Sequence, residues 1–369
     1  MVKDTNVYVY IKPNSIKNKQ NIPKIGCTNA NYFIYLSYKQ EKNRVIQNKV
    51  KKEVYTMSVL GLDIANRSIK AKSATGEVCY INRLQPIYGM ENELISVDKV
   101  IYEYEGQKYA ITGKGLSSGG RNSKRYFTKE YLVELLIAVT KVTNEMSVDI
   151  VLPLPCEDYK NKGLLDEIRQ HLLGKYKIKV NDVIRLIHVN SIRFISQPYG
   201  TLVDYLFDRE GKLIESRAKY KYVICDIGSG TTDIICTDGV RLEKVIGCNI
   251  GCMDIMNRYL DNINSTRTDI KITRDDITGN FKSHIEKYEE IYDFTDELNR
   301  AKLSVVNEIK TFINDSGIDM MLYDRILYCG GGSILLEKDL ITQKNEKLYP
   351  NAQKSNARGA YLYGVIRNG

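Results

Sequence analysis

Two short stretches of this 369-residue chain put a carboxylate at the end of an apolar run and follow it with small and polar residues. The first is Leu60-Gly61-Leu62-Asp63-Ile64-Ala65-Asn66-Arg67-Ser68-Ile69-Lys70. The second is Val223-Ile224-Cys225-Asp226-Ile227-Gly228-Ser229-Gly230-Thr231-Thr232-Asp233. Each reads as a buried strand, Asp-Ile, a tight turn and a second strand. Small residues let such a turn take φ > 0, so that successive N–H groups and hydroxyls converge on an anion such as a phosphate. An Asp just before the turn can hold the Mg²⁺ that accompanies phosphates, usually through water because Mg²⁺ dehydrates reluctantly. Lys70 adds a positive charge to the first hairpin. An ordinary β-hairpin with a Gly or Asn turn has the same outline.

A third element decides between these readings. Ile326-Leu327-Tyr328-Cys329-Gly330-Gly331-Gly332-Ser333 is an apolar strand, three glycines and a Ser at a helix N-cap position, followed by Ile334, Leu335 and Leu336. Three adjacent glycines let a flat group approach the backbone closely, and a helix N-terminus offers free N–H donors. A plain strand-to-helix turn would need one glycine.

The two aspartates, Asp63 and Asp226, lie about one domain length apart, which implies two similar lobes. Around them the chain alternates strand and helix signals. Leu132, Leu135, Leu136 and Val139 fall at helical spacing behind Thr128, predicting an amphipathic helix over 128–145. Val148 to Leu152 is a strand closed by Pro153. Further strands are predicted at 183–188, 221–227, 231–237, 240–246 and 325–329, and helices at 157–173, 200–208, 251–261, 296–314, 333–341 and 356–366. The fold class is therefore α/β with two lobes. The charged stretch 262–295 reads as a surface subdomain or a long connection.

Lys and Arg outnumber Asp and Glu by 54 to 45. Residues 1–56 hold 11 of the cations and 3 of the acids, leaving 43 against 42 behind them. The body of the chain is thus almost neutral, which excludes a nucleic-acid footprint spread over its surface. No apolar run approaches a membrane span, and the start carries no secretory signal pattern. The expectation is a cytoplasmic protein whose eight cysteines are free thiols. Three histidines and no C-x-x-C argue against zinc.

Two Asp hairpins and a Gly-Gly-Gly-Ser turn, in that order, resemble the actin/Hsp70/sugar-kinase ATPase superfamily, over about residues 57–369. The resemblance implies two related RNase H-like domains around a nucleotide cleft, with bound ATP or ADP and Mg²⁺. By that resemblance Asp63 and Asp226 face the metal through water, Asn66, Arg67, Ser68 and Lys70 lie near the first phosphate turn, and Gly228, Ser229, Gly230, Thr231 and Thr232 form the second. Gly330, Gly331, Gly332 and Ser333 lie against the adenosine, and Gly251, in the second linking element, approaches the nucleotide. The superfamily usually has Gly at the position of Ala65. Gln197, in Ile195-Ser196-Gln197-Pro198, matches the residue that begins a helix linking the lobes where water meets the γ-phosphate. A carboxamide is no strong base at neutral pH but can hold a water in line, which favours slow hydrolysis.

Sugar kinases need an acceptor pocket with an Asp base, and Hsp70 a further peptide-binding domain; neither is evident. The closer resemblance is to bacterial plasmid-segregation actins of the ParM type, on Lys108-Tyr109-Ala110-Ile111-Thr112-Gly113 and on Asn351-Ala352-Gln353-Lys354-Ser355-Asn356-Ala357-Arg358-Gly359-Ala360-Tyr361. It implies a filament that moves plasmid DNA through a centromere-binding adaptor, with no membrane partner. A small-molecule kinase or phosphatase of the same fold and a purely cytoskeletal actin are the alternatives. The expected division is a basic extension over 1–56, domain I over 57–205 plus 352–369, and domain II over 206–351.

Overall fold

The computed structural model describes residues 58–88, 96–112, 122–267, 269–277 and 281–368; the basic extension, Gly113 and Met57 lie outside them. The first sheet contains β1 (Ser58–Ile64), β2 (Ser68–Lys72), β3 (Glu77–Ile81), β4 (Leu84–Ile87), β5 (Ser96–Tyr104), β6 (Gln107–Thr112), β7 (Ser147–Leu154), β8 (Gly174–Val180) and β9 (Val183–Ser196). Its strand order is β3-β2-β1-β7-β9-β8-β5-β6-β4. The end strands β3 and β4 are separated only by Asn82 and Arg83, so the sheet curls back on itself. Helix α1 (Lys129–Val142) fills the curl. Tyr131 to Val139 are all buried, Glu134 with its Arg125 partner among them, and a helix buried on every side belongs inside. Thr128 caps α1 as expected, its hydroxyl accepting from the Tyr131 N–H at 3.2 Å.

The second sheet contains β10 (Lys221–Ile227), β11 (Thr232–Asp238), β12 (Arg241–Cys248), β15 (Arg325–Cys329) and β16 (Glu346–Leu348), in the order β12-β11-β10-β15-β16. The pairing repeats that of β3-β2-β1-β7-β9. Three antiparallel strands are followed by two parallel ones, with an Asp at the end of the central strand each time. The register is equivalent as well, with Asp63 opposite Lys70 and Asp226 opposite Asp233. The two similar lobes expected from the sequence are therefore present.

Short helices α2 (Cys156–Lys160) and α3 (Lys162–Leu172) replace the single helix expected over 157–173. Asn161 interrupts it, and its side chain caps the second half by accepting from the Leu164 N–H at 3.1 Å. Helix α4 (Gln197–Leu206) follows β9 directly, and α5 (Glu215–Ala218) leads into β10. The stretch 262–295 is a packed subdomain. It contains the end of α6 (Cys252–Thr266), the short α7 (Arg274–Ile277) and a hairpin of β13 (His284–Lys287) and β14 (Glu290–Asp293). Ile270, Ile272, Ile277, Phe281, Ile285 and Phe294 enter the core of the second lobe, together with α8 (Thr295–Asp315). The helix expected over 333–341 is two pieces, α9 (Gly330–Leu335) and α10 (Glu337–Leu340).

The last helix, α11 (Ser355–Asn368), crosses α4 with their glycines back to back: a Cβ on Gly200 would stand 2.7 Å from the Asn356 carbonyl oxygen. Ala360 of α11 packs with Val151 and Ile195 of the first sheet, while Leu202, Val203 and Leu206 of α4 pack with Tyr222 and Ile224 of the second. The two helices thus form the joint between the sheets. Among the described residues no helix is long and apolar enough to cross a membrane.

Candidate nucleotide-binding cleft

β1 and β10 end at the joint, so Asp63 and Asp226 converge there from opposite lobes. Asp63, Arg67, Ser68, Lys70, Gln197, Asp226, Gly228, Ser229 and Gly330 to Gly332 all line one cavity of about 400 Å³. Both carboxylates are buried, at 2% and 4% exposure. Lys70 reaches across its hairpin to Asp63, Nζ to Oδ2 at 3.0 Å. Burial alone would lower the Lys70 pKa, but the adjacent carboxylate outweighs it and the pKa is raised, so Lys70 stays a cation inside the cleft.

Among the described residues Asp226 has no such cation in contact. Its Oδ2 accepts from the Asn356 side-chain amide of α11, and a Cβ at Gly330 would collide with its Oδ1. Burial pushes its pKa up to about 6; Asp63 adds to the rise, while Asn356 and Lys70 oppose it. Two buried carboxylates facing one cavity form an oxygen-only donor set, which fits a hard divalent cation holding its own waters. Gly330 takes φ +82°, the left-handed region open to glycine, and this turns the chain sharply from β15 into α9.

Gln197 is the first residue of α4, and its Nε2 donates to Asp63 Oδ1 at 3.3 Å. It also lines a second cavity of about 310 Å³ on the far side of both hairpins, together with Asn66, Gly230, Thr231 and Asp233. Gln197, Ala65, Gly228 and Ser229 border both cavities and so divide them. Three of the sequence-predicted residues line neither. Thr232 donates its hydroxyl to the Ile250 carbonyl at 2.8 Å, and Gly251 lies against the backbone of Gly228 and Ser229, where a Cβ would not fit. Ser333 is not the N-cap: it lies inside α9, wholly buried, with its hydroxyl on the Cys329 carbonyl. These three support the turns from behind.

Residues that the sequence did not single out also contribute. Phe281 lines the larger cavity, and the Arg67 guanidinium from the opposite lobe lies 6.0 Å from its ring centre. Asp233 ends the second motif and faces back toward the first lobe, where the Cys156 N–H donates to its Oδ1 at 2.6 Å. Burial raises its pKa to about 7, opposed by that backbone N–H. Asn356 sits in the quoted C-terminal segment, but its role depends on how α11 crosses the joint.

Asp226 and Asp233 hold their protons more tightly in the fold than in the unfolded chain. Their contribution to stability is complete below the unfolded pKa near 4 and is lost as the pH rises through about 6 and 7. Asp226→Asn keeps an acceptor for Asn356 and removes the buried charge. Its melting temperature without ligand is expected to gain on wild type as the pH rises from about 4 through about 6 and to hold that gain from pH 7 to pH 8. A difference independent of pH in thermal melts would show that Asp226 does not ionise in that range.

Paired Asp hairpins from two like lobes, with a triple-glycine turn over the same cavity, define a two-lobed fold of the actin-like ATPase kind. Residues 61–200 match the family of actin-like protein N-terminal domains, and residues 224–342 match the C-terminal domain of the archaeal actin homologue, MreB-like. The two matches between them span both lobes, and each lobe carries a domain of the actin-like kind. Similar solved structures include the apo psk41 ParM protein, at 20% identity over 85% of this chain and 98% of that one, TM-score 0.62. Ta0583, an archaeal actin homolog in complex with ADP, gives 16%, 84%, 100% and 0.65. A 15-stranded ParM filament from Clostridium botulinum gives 18%, 84%, 99% and 0.67. At these identities the structures speak to fold. No curated protein matches the chain in sequence.

Proposed function

We propose that the chain is a cytoplasmic, filament-forming actin-like ATPase that binds Mg·ATP between its lobes, hydrolyses it slowly and segregates plasmid DNA through a centromere-binding adaptor. The observation that carries this reading is the pair of equivalent aspartates, one per lobe, over a single cavity with Gln197 between the hairpins. Similar solved structures that are themselves filaments, or hold ADP, support it. The near-neutral body favours an adaptor over direct DNA contact, since it has few excess cations to neutralise phosphates. We place domain I at 57–205 plus 352–369 and domain II at 206–351.

In this reading the N–H groups of the two turns cradle the phosphates, and Lys70 and Arg67 balance their charge. Asp63 and Asp226 would hold Mg²⁺ through water, and the ion would neutralise charge on the terminal phosphates. Asp63 fixes the Gln197 amide, leaving the carboxamide oxygen to accept from an attacking water and align it. Gln197→Ala is therefore expected to slow phosphate release about tenfold to a hundredfold, with Mg·ATP affinity within about threefold of wild type, and to lengthen filament life. Wild-type turnover in that variant would remove Gln197 from the site. If the γ-phosphoryl group of bound ATP passes to a metabolite, leaving ADP, much faster than to water, the filament ATPase reading fails.

A further inference from the structure

Two exposed surfaces take no part in the cleft and have complementary character. The first is the outer face of β8 and β9. The register sets Lys175 opposite His188, Lys177 opposite Leu186 and Lys179 opposite Ile184, all on one face, while Tyr176, Ile178 and Ile187 point inward. Ile184 and Leu186 are 51% and 50% exposed, an unusual cost for large aliphatic side chains on a sheet face. Of these lysines, only Lys179 has an acid beside it among the described residues, Glu103 at 2.7 Å. The surface is apolar at its centre and basic along one side.

The second is the β13–β14 hairpin of the other lobe. Ile285 anchors its inner face in the core, and the register places Glu286 opposite Ile291 and His284 opposite Asp293 on the outer face. Tyr288 and Ile291 are each 73% exposed, and Glu289 stands beside Tyr288 at the turn. This surface too is apolar at its centre, but its rim is acidic. A two-stranded ribbon with one bare apolar face is marginal by itself, so a cover on that face would add order to it.

We propose that the outer face of β8–β9 in one copy of this chain docks the β13–β14 hairpin of the next, with Ile184 and Leu186 against Ile291 and Tyr288 and with Lys175 and Lys177 facing Glu286 and Glu289. The two surfaces differ and lie on different lobes, so the contact is head-to-tail and leaves both ends free to propagate, as a filament requires. Burying the aliphatic centre drives the contact, and the ring of opposite charges sets its register and makes it sensitive to salt. The net charge of +8 over residues 1–56 disfavours that segment as a cover for the lysine face. The proposal rests on the filament reading and assigns surfaces to it.

The test is sedimentation of the full chain with Mg·ATP, beside a direct measurement of Mg·ATP affinity. Lys175→Glu with Lys177→Glu, and separately Glu286→Lys with Glu289→Lys, should each raise the concentration needed for pelleting at least tenfold without changing nucleotide affinity. All four substitutions in one chain restore the charge match and should return it to within threefold of wild type. Wild-type pelleting by either pair, or no recovery in the fourfold variant, overturns the contact while leaving the filament reading intact. Failure of wild type itself to pellet overturns both. Loss of retention on double-stranded DNA in the lysine pair, with pelleting unchanged, would make that face a nucleic-acid surface and end the proposal.

Discussion

Asp226→Ala is expected to lose at least a hundredfold in Mg·ATP affinity, about 2.7 kcal/mol at 1.36 kcal/mol per tenfold, while remaining folded. Asp226 ends the central strand of its sheet, and its place on the cleft floor is fixed from two sides, by the Asn356 amide and by the glycine at 330. Its charge meets no cation among the described residues and is raised in free energy by burial and by Asp63. A divalent cation held by Asp63 and Asp226 would relieve that cost, so the buried Asp226 charge would contribute much of the affinity for metal-bound nucleotide. Removing the carboxyl should leave the ligand-free melting temperature at pH 8 unchanged or higher, unlike most core truncations. Titration calorimetry with Mg·ATP reads the affinity, and binding within threefold of wild type would take Asp226 out of the site.

Gly359→Ala is expected to be the most damaging small substitution, at about 4 kcal/mol or more and about 10 °C or more in melting temperature. A Cβ there would fall on the Gly200 carbonyl oxygen and stand 2.9 Å from Gly200 Cα. On the same α11, Ala357 and Tyr361 lie against Gly61 of β1, so the helix cannot retreat from one contact without losing another. The damage should reach the cleft as well. Ser355 and Asn356 of α11 meet the Thr201 hydroxyl at 2.6 and 2.9 Å, and Asn356 continues to Asp226. Gly331→Ala is the control, because nothing lies within 4 Å of its added Cβ, and its melting temperature should stay within about 2 °C. If the Gly359 variant melts like wild type, the helices do not cross as described.

Local chemistry made much of this legible in the sequence. Apolar strand, Asp and small residues specify each hairpin without help from the rest of the chain, and the repeat of that device announced two lobes. The triple glycine located the third wall of the cleft. What stayed hidden depends on packing between distant segments. Asn356 is an ordinary polar residue until α11 crosses α4, and Asp233 faces Cys156 only because the loop after β7 passes the second hairpin. Strand β8 shows a clear period of two, Lys175, Lys177 and Lys179 alternating with Tyr176, Ile178 and Val180, yet its many lysines masked it as surface. Phe281 belongs to a charged stretch whose apolar residues are widely spaced, and so it gave no periodic signal.

The most direct test of the central claim is sedimentation of the purified chain with ATP and Mg²⁺, with ATP and excess EDTA, and without nucleotide, following phosphate release in parallel. The expected result is a pellet only with Mg·ATP, returning to the supernatant as phosphate accumulates. Protein that stays in the supernatant under all three conditions, at concentrations where Mg·ATP is shown to be bound, would contradict a nucleotide-driven filament.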